Sequence, residues 1–404
     1  LPDYQRQFNI PQALLLTATA TPKVIADMQA RFAIAADDVV TTGFYRANLN
    51  LLVEPVRGQD KRRRLVQWLG ERAGQPSIVY VTLQKTAEQI AQHLSQHGLA
   101  AEAYHAGLPH DQREAIQRRF MAGQSNCIVA TIAFGMGIDK SDIRNVVHFD
   151  LPKSIENYSQ EIGRAGRDGE PSDCLVLANR DSLNVLENFV YGDTPELDGI
   201  RCVLDELQAC APDGQWEFLL GPLADHSNIR QLPLKTLLVQ LELKRLIAAR
   251  YAYFAEYRFK FVLEPEALLA RFTGERRDFV DAIIQTSSRA RTWVTVNFDA
   301  LYLQHQAERN RVVKALDYCQ EQGWIELESK QMTEVYSLLQ SDFDVQALSL
   351  ELHGYFTRHE RTEVARIHAM LELFATEHCL GYRLAQYFGD NQAPQQCGHC
   401  SVCH

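Results

Sequence analysis

The chain has 404 residues, 46% hydrophobic and 23% charged, enough apolar material for two or three folded domains and too much for intrinsic disorder. Forty-one Lys and Arg against 51 Asp and Glu give a formal charge of -10, which excludes a surface coated for polyanions and makes any nucleic-acid contact local. No apolar run approaches the roughly 18 residues of a membrane helix, so no bilayer partner is expected. The start, Leu1-Pro2-Asp3-Tyr4, has neither a secretory pattern nor an initiator Met, and reads as the start of a fragment.

In chain order, residues 13–20 (Ala-Leu-Leu-Leu-Thr-Ala-Thr-Ala) read as a short buried strand, and Pro22 opens a helix to about Phe32. From about residue 50, short apolar runs alternate with amphipathic stretches. Strands are expected over 77–81, 101–104, 127–131, 146–149 and 174–177, and helices over 84–97, 110–121 and 154–164. That alternation predicts an α/β fold with a mainly parallel sheet covered on both faces.

Gly192-Asp193-Thr194-Pro195 breaks the pattern. Residues 198–250 are helical by pattern. Tyr251 to Val262 alternates as a ribbon, with Tyr257, Phe259 and Phe261 on one face and Arg258 and Lys260 on the other. Helices feeding a ribbon fit a winged-helix layout. A similar arrangement recurs over 308–340: Val312 to Gln322 is helical, Gly323 ends it, and Trp324–Leu327 with Thr333–Leu338 reads as a hairpin. A long helix over about 361–377 precedes a cysteine-rich tail.

The segment Gln160-Glu161-Ile162-Gly163-Arg164-Ala165-Gly166-Arg167-Asp168-Gly169 sets two arginines three apart at a helix end, where both guanidinium groups can fork onto one polyphosphate. Standing alone it reads more simply as two solvated arginines. Ile128 to Asp139 is a strand entering a loop with Gly135 and Gly137, which permit close approach to a ligand, and with Thr131 and Asp139 as polar ends.

The tail is more specific. Cys379, Cys397, Cys400 and Cys403 have the spacing C-x17-C-x2-C-x2-C, which suits tetrahedral Zn²⁺. Four sulfurs leave no open position, so the metal is expected to be structural, with His404 a bystander.

Residues 231–291 hold 11 Lys or Arg against 7 Asp or Glu, a local excess on an acidic chain. Lys235, Lys244, Arg245, Arg250, Arg258 and Lys260 are candidate phosphate contacts there, and Tyr253, Tyr257 or Phe259 candidate stacking partners for a base. The competing reading is a winged-helix core with a solvated basic face.

Together these segments resemble the RecQ family of ATP-dependent DNA helicases in helicase superfamily 2. The resemblance rests on Leu15-Leu16-Thr17-Ala18-Thr19-Ala20-Thr21-Pro22, Phe44-Tyr45-Arg46-Ala47-Asn48-Leu49, Ile78 to Val81, Ala103-Tyr104-His105-Ala106-Gly107-Leu108, Val129 to Asp139 and Gln160 to Gly169, in family order. It covers residues 1 to about 180, and the cysteine tail extends it to the end. It implies a RecA-like parallel-sheet domain, mostly helical winged-helix segments and a small C-terminal zinc-binding module.

The resemblance also implies roles. Arg167 would be the arginine finger toward ATP held on another RecA-like lobe, Arg164 a second phosphate contact, and Gln160 a link between nucleotide state and domain closure. Gly137 and Asp139 would lie at the nucleotide cleft, Thr131 would meet the DNA backbone, and Thr17 and Thr19 would couple hydrolysis to tracking on DNA. No G-x-x-x-x-G-K-[ST] loop or Asp-Glu-x-His motif occurs in the 404 residues. ATP and Mg²⁺ are therefore expected only with a missing first lobe, and this chain alone is expected to be inactive.

The expected domains are 1–49, a remnant of the first lobe and linker; 50–192, the second RecA-like domain; 193–345, winged-helix material; and 346–404, the zinc module. Winged-helix material ahead of the zinc module resembles a less common branch of the family. The implied parent is a 3′–5′ DNA helicase of repair or recombination, acting on single-stranded or forked DNA, cytoplasmic and, if bacterial, at the nucleoid, with a monomer expected. Two alternatives stay open: a non-catalytic DNA-binding adaptor, and a superfamily 2 translocase acting on RNA.

Overall fold

Strands buried on both faces need side chains that are apolar or hydrogen-bonded, and Ser77–Tyr80, Cys127–Ala130 and Asn145–His148 are buried throughout, with Asn145 bonded to Ser77 and His148 to Glu161. They form the middle of a parallel sheet in a computed structural model that describes all residues except 1, 136–137, 180–182 and 211–213, and leaves the side chains of 3, 4 and 6 aside. The chain divides into two compact units, 1–191 with 360–404, and 192–359.

The first unit opens with α1 (Pro2–Gln7) and α2 (Pro22–Phe32). The α/β body follows as β1 (Leu49–Pro55), α3 (Lys61–Gly70), β2 (Ser77–Tyr80), α4 (Gln84–Gln96), β3 (Glu102–Tyr104) and α5 (His110–Met121). It continues through β4 (Cys127–Ala130), β5 (Asn145–His148), α6 (Ile155–Ile162), β6 (Ser172–Ala178) and α7 (Leu183–Gly192). The sheet order is β1-β6-β5-β2-β4-β3, with every pair parallel.

Because side chains alternate along a strand, the sheet feeds two cores. Val79, Val129, Val147 and Leu175 pack with Leu65 and Trp68 of α3 and Ile90 and Leu94 of α4. Ile78, Ile128, Val146 and Val176 pack on the opposite face with Phe120 of α5 and Tyr158 of α6.

One expectation fails in this unit. Residues 13–20 form no strand, and Leu14 and Leu16 are each 82% exposed. A strand needs a neighbour for its N–H and C=O groups, and no described strand pairs with this segment. The helix after it does form: Thr21 accepts a hydrogen bond from the Val24 amide, and Pro22 occupies the first turn.

The second unit contains α8 (Leu197–Gln208), β7 (Gln215–Leu219), α9 (Leu220–Ser227), α10 (Gln231–Leu243) and β8 (Ile247–Phe261). Next come α11 (Pro265–Leu269), α12 (Glu275–Thr286), β9 (Ser288–Arg289), β10 (Val294–Thr295), α13 (Phe298–His305), α14 (Arg309–Glu321) and β11 (Ile325–Leu338). β8 and β11 pair antiparallel along their length, with a register shift at Val335/Tyr336.

One end of this ribbon, with β7, closes a core from α8, α9 and α10 around Trp216, Leu234 and Leu237. The other end, with β9 and β10, closes a core from α12 and α14 around Phe259, Ile283 and Val312. A second helix-and-ribbon body is thus inserted in the sequence between β8 and β11, and closes on the far end of the ribbon that the two strands share.

Two readings need correction here. The helical stretch 198–250 is interrupted by β7. The hairpin expected within 324–338 is one continuous strand, because Ser329-Lys330-Gln331-Met332 contains no Gly, Asn or Pro for a tight turn and β8 supplies a full-length partner; the only irregularities are Gln331 at φ 55 and the register shift.

The last helices are α15 (Val345–Phe374), longer than the expected 361–377, and α16 (Leu380–Tyr387). Leu352 and Phe356 of α15 belong to the second unit's core, whereas Ile367, Met370 and Leu373 join Leu380 and Leu384 in the first unit's core.

Candidate functional site

The first unit carries an open cleft of about 1260 Å³ whose walls include Thr17, Thr19, Arg46, Gln160, Gly163, Arg164 and Arg167. Helix α6 aims this group. Ser154 caps it by accepting from the Asn157 amide, which fixes its start, and its end leads directly into the arginine turn. Near that end the Gln160 side-chain nitrogen donates to Thr19 Oγ1 at 3.0 Å. Thr17 Oγ1 in turn accepts from the Thr19 amide at 3.3 Å.

Both arginines are held by backbone oxygens. Arg164 Nη1 donates to Gly135 O, and Arg164 Nε is buried without a hydrogen-bond partner. A Cβ on Gly135 would run into the Arg164 guanidinium, so a side chain there would displace that group from its place against Gly135 O. Arg167 Nη1 donates to Ile138 O at 3.0 Å and to Asp139 Oδ1 at 2.8 Å. Asp139 therefore lies beside Arg167 with its side chain 90% exposed. Gly137 lies outside the described residues. Beneath the arginines, burial pushes the Tyr80 hydroxyl far above its ordinary range, against the opposing pull of the Arg164 charge, and the hydroxyl donates to Phe134 O at 3.2 Å.

The turn between the arginines is held by residues to which the sequence reading gave no role. Arg46 Nη2 donates to Ala165 O at 3.2 Å and to Gly166 O at 2.8 Å, and Asn48 Nδ2 donates to Gly166 O at 2.8 Å and Glu170 O at 3.0 Å. Arg144 pairs with Asp168, and that hydrogen bond holds the Asp168 carboxyl below the usual range. Arg46 and Asn48 stand in the quoted Phe44–Leu49 segment. Their target was not readable, because it lies about 120 residues away.

The four cysteines converge: their Sγ atoms all lie within 4.8 Å of one another. Tetrahedral zinc with Zn–S of about 2.3 Å would set sulfurs roughly 3.8 Å apart, so the cluster fits that ion. Cys379 and Cys400 are buried, and the Cys397 amide donates to Cys379 Sγ at 3.3 Å. Burial opposes ionisation at Cys400, but the amides around it prevail and bring the thiol down to about 7. Burial pushes the Cys397 thiol up. The four-cysteine cluster is thus consistent with a structural Zn²⁺ site. His404 contributes no ligand atom to the cluster, and His399 Nε2 instead faces the Tyr45 hydroxyl at 3.2 Å.

The DNA candidates are dispersed. Thr131 follows β4 directly, its Oγ1 accepting from the Ala133 amide at 3.5 Å. In the second unit Lys235 and Arg245 are exposed, Arg245 at φ 57. Lys244 pairs with Glu351, Arg258 with Glu328 at 2.5 Å, and Lys260 with Glu326 at 2.6 Å. Arg258 and Lys260 also lie over the Trp293 ring. Phe259 is 2% exposed and cannot stack on a base, which corrects that expectation.

Comparison with known proteins agrees with this architecture. Residues 60–169 match the family model "Helicase conserved C-terminal domain", and residues 340–404 match "RecQ zinc-binding". The part of the parallel-sheet unit that carries the arginine turn is thus similar to a C-terminal helicase domain. The chain is homologous to the RecQ family of superfamily 2 DNA helicases.

It is 40% identical over 202 residues to the RecQ-like DNA helicase blm-1 of Caenorhabditis elegans, covering 48% of this chain and 20% of that protein. It is 42% identical over 175 residues to the ATP-dependent DNA helicase RecQ of Bacillus subtilis, covering 43% and 29%. With ATP-dependent DNA helicase Q1 of Pongo abelii it shares 40% identity over 202 residues, covering 46% and 31%. These matches span less than a third of each relative's length. Among the described residues no helix is long and apolar enough to cross a membrane.

Proposed function

We propose that this chain is the C-terminal portion of an ATP-dependent DNA helicase, supplying the arginines that complete a nucleotide site and surfaces that grip DNA. The observation that carries the reading is that Arg164 and Arg167 line one cleft with Thr17, Thr19 and Gln160 on a domain homologous to RecQ helicases.

Arg167 is the finger. When a lobe carrying ATP and Mg²⁺ closes on the cleft, its guanidinium leaves Asp139 and meets the charge developing on the transferring γ-phosphoryl group. Arg164 serves as a second phosphate contact. The Gln160–Thr19 bond reports closure to the Ala13–Ala20 segment, and Thr131, Lys235 and Arg245 contact phosphates of single-stranded or forked DNA. Zinc on the four cysteines supplies rigidity and no chemistry.

The test is to place this chain behind a lobe with a phosphate loop and an Asp-Glu-x-His motif and to measure DNA-stimulated phosphate release. The pairing should hydrolyse ATP and this chain alone should not. Robust hydrolysis by the 404-residue chain alone would place the nucleotide site elsewhere.

A further inference from the structure

The segment Gly43–Asn48 touches two places far apart in sequence. At one end, Asp390 Oδ2, just after α16, accepts from the Phe44 amide at 2.7 Å and the Tyr45 amide at 3.1 Å. The Phe44 ring stacks on Phe388, with centroids 4.5 Å apart and planes 12° from parallel. At the other end, Arg46 and Asn48 hold the carbonyls of Ala165 and Gly166, between the two arginines of the cleft.

The fit at that second end is tight. Gly166 sits at φ 54, and a Cβ there would lie 2.5 Å from Asn48 Nδ2 and 2.7 Å from Glu170 O. The Gly166 amide donates to Ile143 O at 2.9 Å, so the turn is fixed from below as well. Two charge-assisted bonds from one guanidinium onto consecutive carbonyls define where the turn lies, and hence where Arg164 and Arg167 start.

We infer that Arg46 and Asn48 are positioning residues for the arginine turn, and that Asp390 places them, so that the cysteine-bearing module sets the aim of the two arginines. The inference rests on the reading of those arginines as nucleotide contacts. The relay itself needs no nucleotide to be observed. Six residues carry it, with a bend at Phe44 and a turn at Ala47–Asn48, and hydrogen bonds to Asp390 and to the 165–166 carbonyls fix their two ends.

The experiment compares the 404-residue chain with Arg46→Ala, Asp390→Ala and Asp390→Asn, following amide exchange residue by residue and the Nε–H signals of Arg164 and Arg167 by NMR. Asp390→Asn keeps an oxygen for the Phe44 and Tyr45 amides and acts as the rescue. The expected result is exchange of the Gly166 and Gly169 amides faster by about tenfold in both Ala variants, the equivalent of one net hydrogen bond. The Arg167 Nε–H signal should move with it, Val129 and Val147 in the sheet should stay unchanged, and Asp390→Asn should behave as wild type.

Two results would overturn the inference: Asp390→Ala freeing Phe44 and Tyr45 while residues 163–169 stay as they were, or exchange rising equally in the sheet. Should Asp390→Ala not fold, Phe388→Leu removes the stacking on Phe44 and must still quicken Gly166 exchange by roughly threefold; no change there overturns it too. An Arg167 variant that leaves ATP turnover intact would remove the nucleotide reading and leave this relay standing.

Discussion

Gln160 and Thr19, 141 positions apart, meet in a side-chain hydrogen bond of 3.0 Å at the mouth of the cleft. It ties the irregular segment Ala13–Ala20 to helix α6, the element that carries the arginine turn. Thr19→Val removes the acceptor and keeps the shape. Exchange at amides 18–20 should rise several-fold while the unfolding free energy changes by under about 1 kcal/mol, as for an exposed neutral bond. Hydrogen exchange with a denaturant titration checks both parts, and an unchanged segment would show that something else holds it.

The cysteine cluster predicts about one zinc per chain by elemental analysis after preparation without chelator. Chelation should lower the melting temperature and loosen α16 first, because the metal's binding free energy is stability that the apo module lacks. Cys400→Ser should do the same. Absence of zinc in the purified chain would oppose the four-thiolate assignment.

A second tie between the C-terminal helices and α6 has an alkaline signature. Tyr387 donates to Glu156 Oε1 at 2.8 Å, and Arg366 donates to Glu156 Oε2 at 3.1 Å. Burial, then the bond to Glu156, pushes the Tyr387 hydroxyl from 10.0 up to about 12. A raised folded value means that its stabilisation is fully present below pH 10 and is lost as pH rises through about 12. Tyr387→Phe should therefore melt a few degrees lower than wild type at pH 8, and the gap should close between pH 10 and 12. A gap independent of pH would mean that the hydroxyl contributes through packing.

For DNA, cations already facing a carboxylate should count for less. Lys235→Ala and Arg245→Ala should each reduce the slope of log affinity against log salt by about one. Arg258→Ala and Lys260→Ala should reduce it by less, since Glu328 and Glu326 already neutralise those side chains. Fluorescence anisotropy over a salt series measures this. Equal slopes for all four variants would contradict the assignment.

What could be read from sequence was local. Apolar runs such as Ser77–Tyr80 and helical patterns such as Gln84–Gln96 identify themselves, because their periodicity is set by neighbours along the chain. The cysteine spacing and the two arginines were legible for the same reason. Partners distant in sequence were not. Ala13–Ala20 looked like a strand, yet a strand exists only beside another. Ile325–Leu338 looked like a hairpin because its partner β8 lies over 60 residues upstream. Asp390 gave no signal at all: its target amides are about 345 positions away, and any residue at 44 and 45 has a backbone N–H to offer.

The most direct test of the central claim is ATP turnover by Arg167→Ala in a protein that joins this chain to a phosphate-loop lobe. The prediction is a fall in kcat of at least about 10³-fold, the range an arginine finger supplies, with DNA affinity largely retained. Turnover at the wild-type rate would show that Arg167 never reaches the transferring phosphoryl group.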